Sequence, residues 1–201
     1  SHDLRTPLTA ILGYLELLKQ EEKSETVARY LSIIENRTEA LRQLTEELFR
    51  YSIVNTVKES ERIQMDLRRA LEESLLSFYG VMRKKNILPQ IHITDQPVER
   101  FLDPTAVSRI FSNIISNALK YSDGDLTVQM DGAGRVIFSN TARGLTSVTA
   151  GKLFDRFYTV ESGRNSTGLG LSIARLLTQR LGGSIQADYQ ENRISITVEF
   201  P

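Results

Sequence analysis

The chain has 201 residues, which is enough for one ordinary domain or two small ones. Its 25 basic and 25 acidic residues give a formal net charge of zero, so no basic field indicates binding to nucleic acid. It contains no cysteine and only two histidines, which excludes a disulfide scaffold and a thiolate metal site and argues against a histidine-rich metal cluster.

The first fifty residues carry the apolar repeat of helices that pack against other helices. In the first segment the steps between apolar residues alternate between four and three, at Leu4, Leu8, Ile11, Leu15 and Leu18. A similar seam follows a short polar stretch, at Val27, Leu31, Ile34, Leu41 and Leu48, with Thr38 and Thr45 weakening it locally. The pattern predicts helices over 3–20 and 25–51, joined as an antiparallel hairpin.

The hairpin carries more apolar surface than one partner helix covers, because Leu12, Ile33 and Leu44 flank the seams. A hairpin of ~50 residues also buries too little to be stable alone. We therefore expect a symmetric dimer that forms a four-helix bundle. The alternative is that the hairpin packs on the rest of its own chain.

A potential nucleophile lies at the start of the first helix. His2 precedes the first seam position by two residues, so we expect it to face solvent, where a neutral imidazole can attack a phosphoryl group. Asp3 can hold the tautomer or accept the proton from the other ring nitrogen. Thr6, one helical turn later, can orient a water toward the same place. The alternative is an ordinary surface histidine near a helix start.

The pattern changes after a polar stretch at 55–62, which we interpret as a linker. Apolar alternation and turn residues predict strands over 63–67, 87–93, 126–130, 135–139, 184–189 and 194–200. Helices are predicted over 67–84, 103–121 and 169–181. The stretch 140–167 is predicted to be mostly loop, with one short helical piece near Leu153. These elements predict an α+β layer, in which helices cover a largely antiparallel sheet.

Two asparagines on the predicted helix 103–121 form a second candidate site. Asn113 and Asn117 lie one turn apart and project from one face, and Lys120 and Tyr121 follow on the next turn. Carboxamide oxygens suit Mg²⁺, and a nearby lysine can offset phosphate charge. The alternative is a polar helix face that only meets solvent.

A glycine motif precedes the last predicted helix. Gly168, Leu169 and Gly170 lie where the backbone can approach phosphates, and the N–H groups at a helix start favour anions. No βαβ unit surrounds the motif, so it is not a dinucleotide fingerprint. The preceding loop, with Arg164 and Asn165, is predicted to be a lid over a nucleotide, or else a plain surface loop.

Taken together, these motifs resemble the catalytic core of sensor histidine kinases. The resemblance implies a dimerisation and phosphotransfer hairpin over 1–56, followed by an α/β sandwich ATP-binding domain of GHKL type over 57–201. His2 matches the phosphoacceptor, Asp3 the adjacent acidic residue, and Thr6 the residue implicated in phosphatase activity.

The resemblance also assigns the nucleotide site. Asn113, Asn117, Lys120 and Tyr121 match the asparagine box, in which the residue at Asn117 holds Mg²⁺. Residues 153–158 look like the phenylalanine box. Gly168, Leu169 and Gly170 match the glycine box, which closes the lid over ATP.

One motif departs from the family's Asp-x-Gly-x-Gly pattern. Here Asn140 replaces the aspartate that accepts a bond from the adenine amino group, Ala142 replaces the first glycine, and Gly144 keeps the second. The asparagine oxygen can still accept that bond, but without charge, which is expected to cost ~1 kcal/mol or more, a several-fold loss of affinity. The last strand, from Arg193, likewise lacks the glycine usual at its start.

The expected function is autophosphorylation of His2 by ATP with Mg²⁺, followed by transfer to an aspartate of a response regulator. One alternative is a degenerate kinase that acts as a non-catalytic dimeric docking module, and another is a GHKL ATPase or serine kinase. The resemblance implies a homodimer and no nucleic-acid partner. Because the chain opens inside its first motif, we expect a cytoplasmic fragment of a longer sensor, joined to a membrane only through an upstream sensory region.

Overall fold

The computed structural model describes residues 2–20, 24–56, 61–155, 158 and 168–201. It describes the backbone alone at residues 2–7, 20, 40, 42–44, 46–56 and 147. The chain divides into two compact units. The first contains α1 (His2–Gln20) and α2 (Glu25–Thr56). The second contains the remaining strands and helices.

The two helices of the first unit pack against each other through part of the predicted seams. Leu8 and Leu15 on α1, and Leu31 and Thr38 on α2, are buried. Thr38, which was expected to weaken the seam, donates its hydroxyl to the carbonyl of Ile34 at 2.8 Å. Its polar group is therefore satisfied within the helix, and the cost of burying it falls.

An ion pair joins the end of α1 to α2. The Lys19 ammonium lies 2.5 Å from a carboxylate oxygen of Glu35. The hydrogen bond that the Lys19 ammonium donates to Glu35 raises the pKa of Lys19 above its ordinary value of 10.5. The contact helps to define how the two helices align.

The predicted linker is partly helical. The expectation of a linker from residue 55 was wrong at its beginning, because α2 continues to Thr56. Its last two residues, Asn55 and Thr56, are polar, but neither is glycine or proline, so neither is a strong helix breaker. Residues 57–60 lie outside the described part of the chain.

The second unit alternates short strands and helices. In chain order these are β1 (Ile63–Asp66), α3 (Leu67–Ser77), α4 (Tyr79–Lys84), β2 (Gln90–Ile93), β3 (Glu99–Leu102), α5 (Pro104–Tyr121), β4 (Thr127–Met130), β5 (Val136–Thr141), α6 (Ser147–Gly151), α7 (Gly170–Arg180), β6 (Ser184–Gln190) and β7 (Arg193–Glu199).

Five of these strands form one sheet in the order β2-β4-β5-β7-β6. All neighbours are antiparallel except β2 and β4, which run parallel because the chain crosses over between them through α5. A separate antiparallel pair joins β1 to β3. The predicted α+β class with a largely antiparallel sheet is confirmed.

The core of the second unit lies between the sheet and the helices α5 and α7. The ring of Phe111 on α5 lies 6.0 Å from that of Phe138 on β5 and 5.9 Å from that of Phe200, just after β7. Ala174 on α7 is fully buried, and α7 packs against α5. Aromatic contacts of this kind fix the height of α5 above the sheet.

Several predicted boundaries were wrong. The helix predicted over 67–84 breaks at Phe78 into α3 and α4. The strand predicted from Ile87 begins only at Gln90, because the Ile87 N–H caps α4 by bonding to the carbonyl of Met82 at 2.9 Å, and Pro89 lacks a donor. Strand β3 was not predicted, since its four residues, two of them charged, show no clear alternation.

Two elements near the predicted loop 140–167 also differ. Strand β5 runs on to Thr141 because β7 pairs with its last residues. The short helical piece is α6, which precedes Leu153 and begins with a capping box formed by Thr146 and Thr149. Across the described residues, no helix has both the length and the apolar character that a membrane crossing requires.

Candidate functional site

Helix α5 presents the two candidate asparagines on one side. Its start is fixed by Asp103, whose carboxylate accepts from the N–H groups of Thr105 at 2.8 Å and Ala106 at 3.2 Å. Asn113 and Asn117 are half-buried, while the opposite side of α5 is buried in the core. Their amide oxygens can therefore reach a ligand beside the helix.

The glycine motif lies next to this helix. A Cβ added at Gly170 would lie 3.8 Å from the amide oxygen of Asn113. Helix α7 begins at Gly170, and its N-cap residue Leu169 provides no side-chain hydrogen bond. The first N–H groups of α7 thus lack a side-chain cap, which is the arrangement that favours an anion such as phosphate.

The side chains of Lys120 and Tyr121 are both half-buried at the end of α5. The Lys120 ammonium lies 5.7 Å from the centre of the Tyr121 ring. Such a cation–π contact holds a lysine in a defined direction.

Asn140 lies on β5, opposite Ile194 of β7, and is 5% exposed. Its amide nitrogen donates to the carbonyl oxygen of Thr141 at 3.0 Å. Because a carbonyl can only accept, this contact determines which end of the carboxamide is the nitrogen. Among the described residues, the amide oxygen of Asn140 has no hydrogen-bond partner, so it is available to a donor on a ligand.

A network that the sequence did not predict surrounds Thr141. Asp125 accepts from the N–H of Thr141 at 2.8 Å and from its hydroxyl at 3.0 Å. Asp125 also accepts from Arg193 at 3.1 Å, and Arg193 donates to the hydroxyl of Thr127 at 2.8 Å. The N–H of Asp123 donates to the Thr141 carbonyl at 3.0 Å. No sequence signal marked these residues, because Asp125 and Arg193 are 68 positions apart.

Ala142 and Gly144 follow in the departing motif. The N–H of Ala142 bonds to the carbonyl of Asn192 at 2.8 Å, and the carbonyl of Ala142 accepts from the Tyr189 hydroxyl at 3.2 Å. Neither position 142 nor position 144 has a positive φ, and a Cβ at Gly144 would meet nothing within 4 Å. An alanine is therefore accommodated at 142 without backbone strain.

Other predicted residues are only partly described. The backbone of His2, Asp3 and Thr6 belongs to α1, but their side chains lie outside the described residues. Phe154 of the predicted phenylalanine box is buried, with the Arg175 guanidinium 5.9 Å above its ring. Residues 156 and 157 of that box, and residues 159–167 of the predicted lid, lie outside the described residues.

Metal binding at this site would depend on few protein ligands. In the described part of the chain, no group of three or more histidine or acidic side chains is arranged to hold an ion. The amide oxygens of Asn113 and Asn117 fit Mg²⁺, which commonly takes one or two protein oxygens together with substrate phosphates and water.

Two family models match the chain. The His Kinase A (phospho-acceptor) domain matches residues 1–56, and the family of histidine kinase-, DNA gyrase B-, and HSP90-like ATPases matches residues 102–201. Together they cover more than three quarters of the sequence.

Curated relatives carry sensor names. Sensor protein VanSC of Enterococcus gallinarum is 33% identical, over all of this chain and 58% of its own length. Sensor histidine kinase YcbM of Bacillus subtilis is 29% identical, over 99% of this chain and 69% of its own length. The chain thus spans somewhat more than half the length of the first of these relatives.

Solved structures share the fold. Acinetobacter baumannii histidine kinase AdeS is 22% identical with a TM-score of 0.67, over all of this chain and 97% of that one. Histidine kinase ThkA, in complex with response regulator protein TrrA, is 25% identical with a TM-score of 0.69, over all of this chain and 59% of that one.

Proposed function

The chain belongs to the sensor histidine kinases of two-component systems, and we propose that it phosphorylates His2 with ATP and passes the phosphoryl group to an aspartate of a response regulator. The main support for the proposal is that the start of α7, which lacks a side-chain cap, lies beside Asn113 of α5. We assign dimerisation and phosphotransfer to residues 1–56, and catalysis and ATP binding to 57–201.

We propose that the nucleotide lies along α5, with its phosphates at the start of α7 and its base at Asn140. The backbone at Gly168, Leu169 and Gly170 binds the phosphates, since its N–H groups carry partial positive charge. Lys120 and Tyr121 flank them, and Gly144 follows the base-binding strand. Asn117 would hold Mg²⁺, which when bound neutralises charge on the phosphates.

In the proposed reaction, a neutral ring nitrogen of His2 forms a bond to the γ-phosphorus. The bond from that phosphorus to the bridging oxygen breaks, and ADP leaves with the electron pair. Asp3 takes the proton from the other ring nitrogen, so the positive charge on the imidazole does not build up. A carboxylate oxygen of the regulator then attacks the same phosphorus, and the bond from the phosphorus to the ring nitrogen breaks with its electron pair on that nitrogen. Asp3 returns the proton, which regenerates neutral His2. Thr6 orients a water for removal of the phosphoryl group.

The proposed assembly is a homodimer formed through the hairpin. Apolar seam residues remain exposed within one chain, namely Ile11, Leu18, Ile34 and Leu41, at 44%, 50%, 47% and 51%. A second hairpin would bury them in a four-helix bundle. The response-regulator partner is supported by the ThkA structure, which is a complex with such a protein.

We propose that this kinase core acts in the cytoplasm as part of a longer, membrane-bound sensor. The relatives that it matches are called sensor proteins and are longer than this chain. No partner role for nucleic acid is proposed, because the net charge is zero.

We do not favour the non-catalytic docking module. That alternative depends on Asn140 and Ala142, yet Asn140 keeps an available acceptor and Ala142 adopts an ordinary backbone conformation. A GHKL ATPase or serine kinase is disfavoured by the match of residues 1–56 to the phospho-acceptor family.

The test is autophosphorylation with γ-labelled ATP and Mg²⁺. We expect acid-labile label on the wild-type chain and on His92→Ala, and none on His2→Ala. His92 is the matched control because it is the other histidine of the sequence and lies exposed on β2. Label that persists on His2→Ala, or an unlabelled wild type that also fails to bind ATP, would contradict the proposed function.

A further inference from the structure

Asn140 raises a question of base selectivity. A carboxamide can accept from the 6-amino group of adenine through its oxygen, or donate to the 6-oxo group of guanine or hypoxanthine through its nitrogen. An aspartate can only accept. With asparagine at this position, the choice of base therefore depends on which end of the amide faces the nucleotide.

The carbonyl of Thr141 determines that orientation. The Asn140 nitrogen donates to it at 3.0 Å. Turning the amide over would place two acceptor oxygens against each other at a side chain that is only 5% exposed. Water cannot readily replace the lost hydrogen bond at such a buried site, so the reversed orientation is disfavoured.

Residues of the turn that follows α5 hold Thr141 in place. Asp125 binds the N–H and the hydroxyl of Thr141, at 2.8 Å and 3.0 Å. The N–H of Asp123 and the amide of Asn140 both donate to the Thr141 carbonyl, each at 3.0 Å, so its two lone pairs are occupied. The position of Asn140 is thereby tied to the same helix that carries Asn113 and Asn117.

Arg193 anchors this arrangement in the sheet. It donates to Asp125 at 3.1 Å and to the Thr127 hydroxyl at 2.8 Å. The network therefore joins β4, β5 and β7 around Thr141. Arg193 is the first residue of β7, where the family resemblance led us to expect a glycine.

We infer that Asp125, together with Arg193, is a positioning residue that keeps the amide oxygen of Asn140 directed at the base, and that the site thereby selects 6-aminopurine over 6-oxopurine nucleotides. The inference rests on the proposed function, since it requires the nucleotide to lie with its base at Asn140. Asp125 acts on the nucleotide only through Thr141 and Asn140.

The test compares the dissociation constants of ATP and inosine triphosphate, which differ at the 6-position, by calorimetric titration with Mg²⁺. We expect the wild-type chain to bind ATP about tenfold more tightly, since one favourable bond is replaced by opposed acceptors. In Asp125→Asn the ratio falls about threefold or more, because one amide oxygen cannot accept from the N–H, the hydroxyl and the arginine together. Arg193→Gln lowers the ratio by a smaller factor.

Glu199→Gln is the matched control. Like Arg193, Glu199 lies on β7. It resembles Asp125 in pairing with an arginine, Arg135, at 2.7 Å, and in exposure, since its side chain is 45% exposed and that of Asp125 is 37% exposed. Glu199 lies at the other end of β7 from the residue that pairs with Asn140. Its substitution should therefore leave the ratio of the two dissociation constants at the wild-type value. A substitution that only damages the fold weakens the binding of both nucleotides together and does not change the ratio of their dissociation constants.

The outcomes separate this inference from the proposed function. An Asp125→Asn ratio equal to that of the wild type overturns the role of Asp125. Equal binding of both nucleotides by the wild type overturns the selectivity but leaves ATP binding intact. Failure of the wild type to bind either nucleotide overturns the proposed function and this inference with it.

Discussion

Asn140 is a buried carboxamide at a position where the family usually carries an aspartate, and its neighbours are suited to the amide. The nitrogen of Asn140 donates to the Thr141 carbonyl. A carboxylate has no donor for that carbonyl, and its oxygens would lie against another oxygen. The residue is therefore part of the local hydrogen bonding as well as a candidate contact to the base.

At this scale we predict that Asn140→Asp lowers the free energy of unfolding by about 1–3 kcal/mol, the usual cost of leaving a buried polar group unsatisfied. Urea denaturation followed by circular dichroism measures the change. The matched control is Asn192→Asp. Asn192 is exposed, and its side-chain oxygen, 3.3 Å from the Tyr189 hydroxyl, shares the proton of that hydroxyl with the Ala142 carbonyl. An aspartate oxygen can accept in the same way. We expect its effect to stay within about 0.5 kcal/mol. Equal stability of the two variants would contradict the assigned amide orientation.

Among the elements, the start of α7 is where we propose that the backbone itself binds the phosphates. Its two glycines serve different purposes. Gly168 has φ of +68°, a conformation that side-chain-bearing residues rarely adopt. Gly170 has no positive φ, and an added Cβ would make only an ordinary contact of 3.8 Å with Asn113. The turn requires the first glycine, whereas we propose that the second leaves room for the phosphates of the nucleotide.

We therefore predict opposite behaviour for two alanine substitutions. Gly168→Ala should lower the free energy of unfolding by about 1–2 kcal/mol, because the left-handed conformation is strained for alanine. Gly170→Ala should leave the free energy of unfolding unchanged or raise it by up to about 1 kcal/mol, since alanine favours helix. It should weaken ATP binding, because the added methyl group would occupy part of the proposed phosphate site. Chemical denaturation and nucleotide titration of both variants test this. Unchanged ATP affinity in Gly170→Ala would remove the start of α7 from the phosphate site.

For the molecule as a whole, the hairpin is the part with the most regular exposed apolar surface among the described residues. Leu8, Leu15, Leu31 and Thr38 are buried, but their seam neighbours remain about half exposed. Exposed apolar stripes on two packed helices are typical of an interface. A symmetric partner would cover both stripes with the same surface.

We predict a dimer in solution that Ile11→Glu and Ile34→Glu each weaken. Burying an isoleucine contributes about 1.5–3 kcal/mol, and each substitution occurs twice in a symmetric dimer, so the dissociation constant should rise by about a hundredfold or more. Size-exclusion chromatography with light scattering gives the mass. Leu88→Glu is the control, because Leu88 is 90% exposed on the second unit. A monomeric wild type, or dissociation caused equally by Leu88→Glu, would contradict the hairpin interface.

The sequence by itself determined the features that depend on neighbouring residues. The seam spacing predicted α1 and α2, Asp103 and Pro104 marked the start of α5, and the asparagine and glycine motifs indicated a nucleotide site. Helical periodicity and capping act within a few residues, so they can be recognised in a linear pattern.

Only the tertiary structure decided the features that join distant parts of the chain. Three features arise where distant elements meet: the proximity of Asn113 to the start of α7, the amide orientation of Asn140, and the pair of Asp125 with Arg193. Spacing could not predict them, because which side chains meet across a sheet depends on strand order and register. The same reason explains why Asn140 and Ala142 looked like losses in sequence, whereas the folded chain accommodates both.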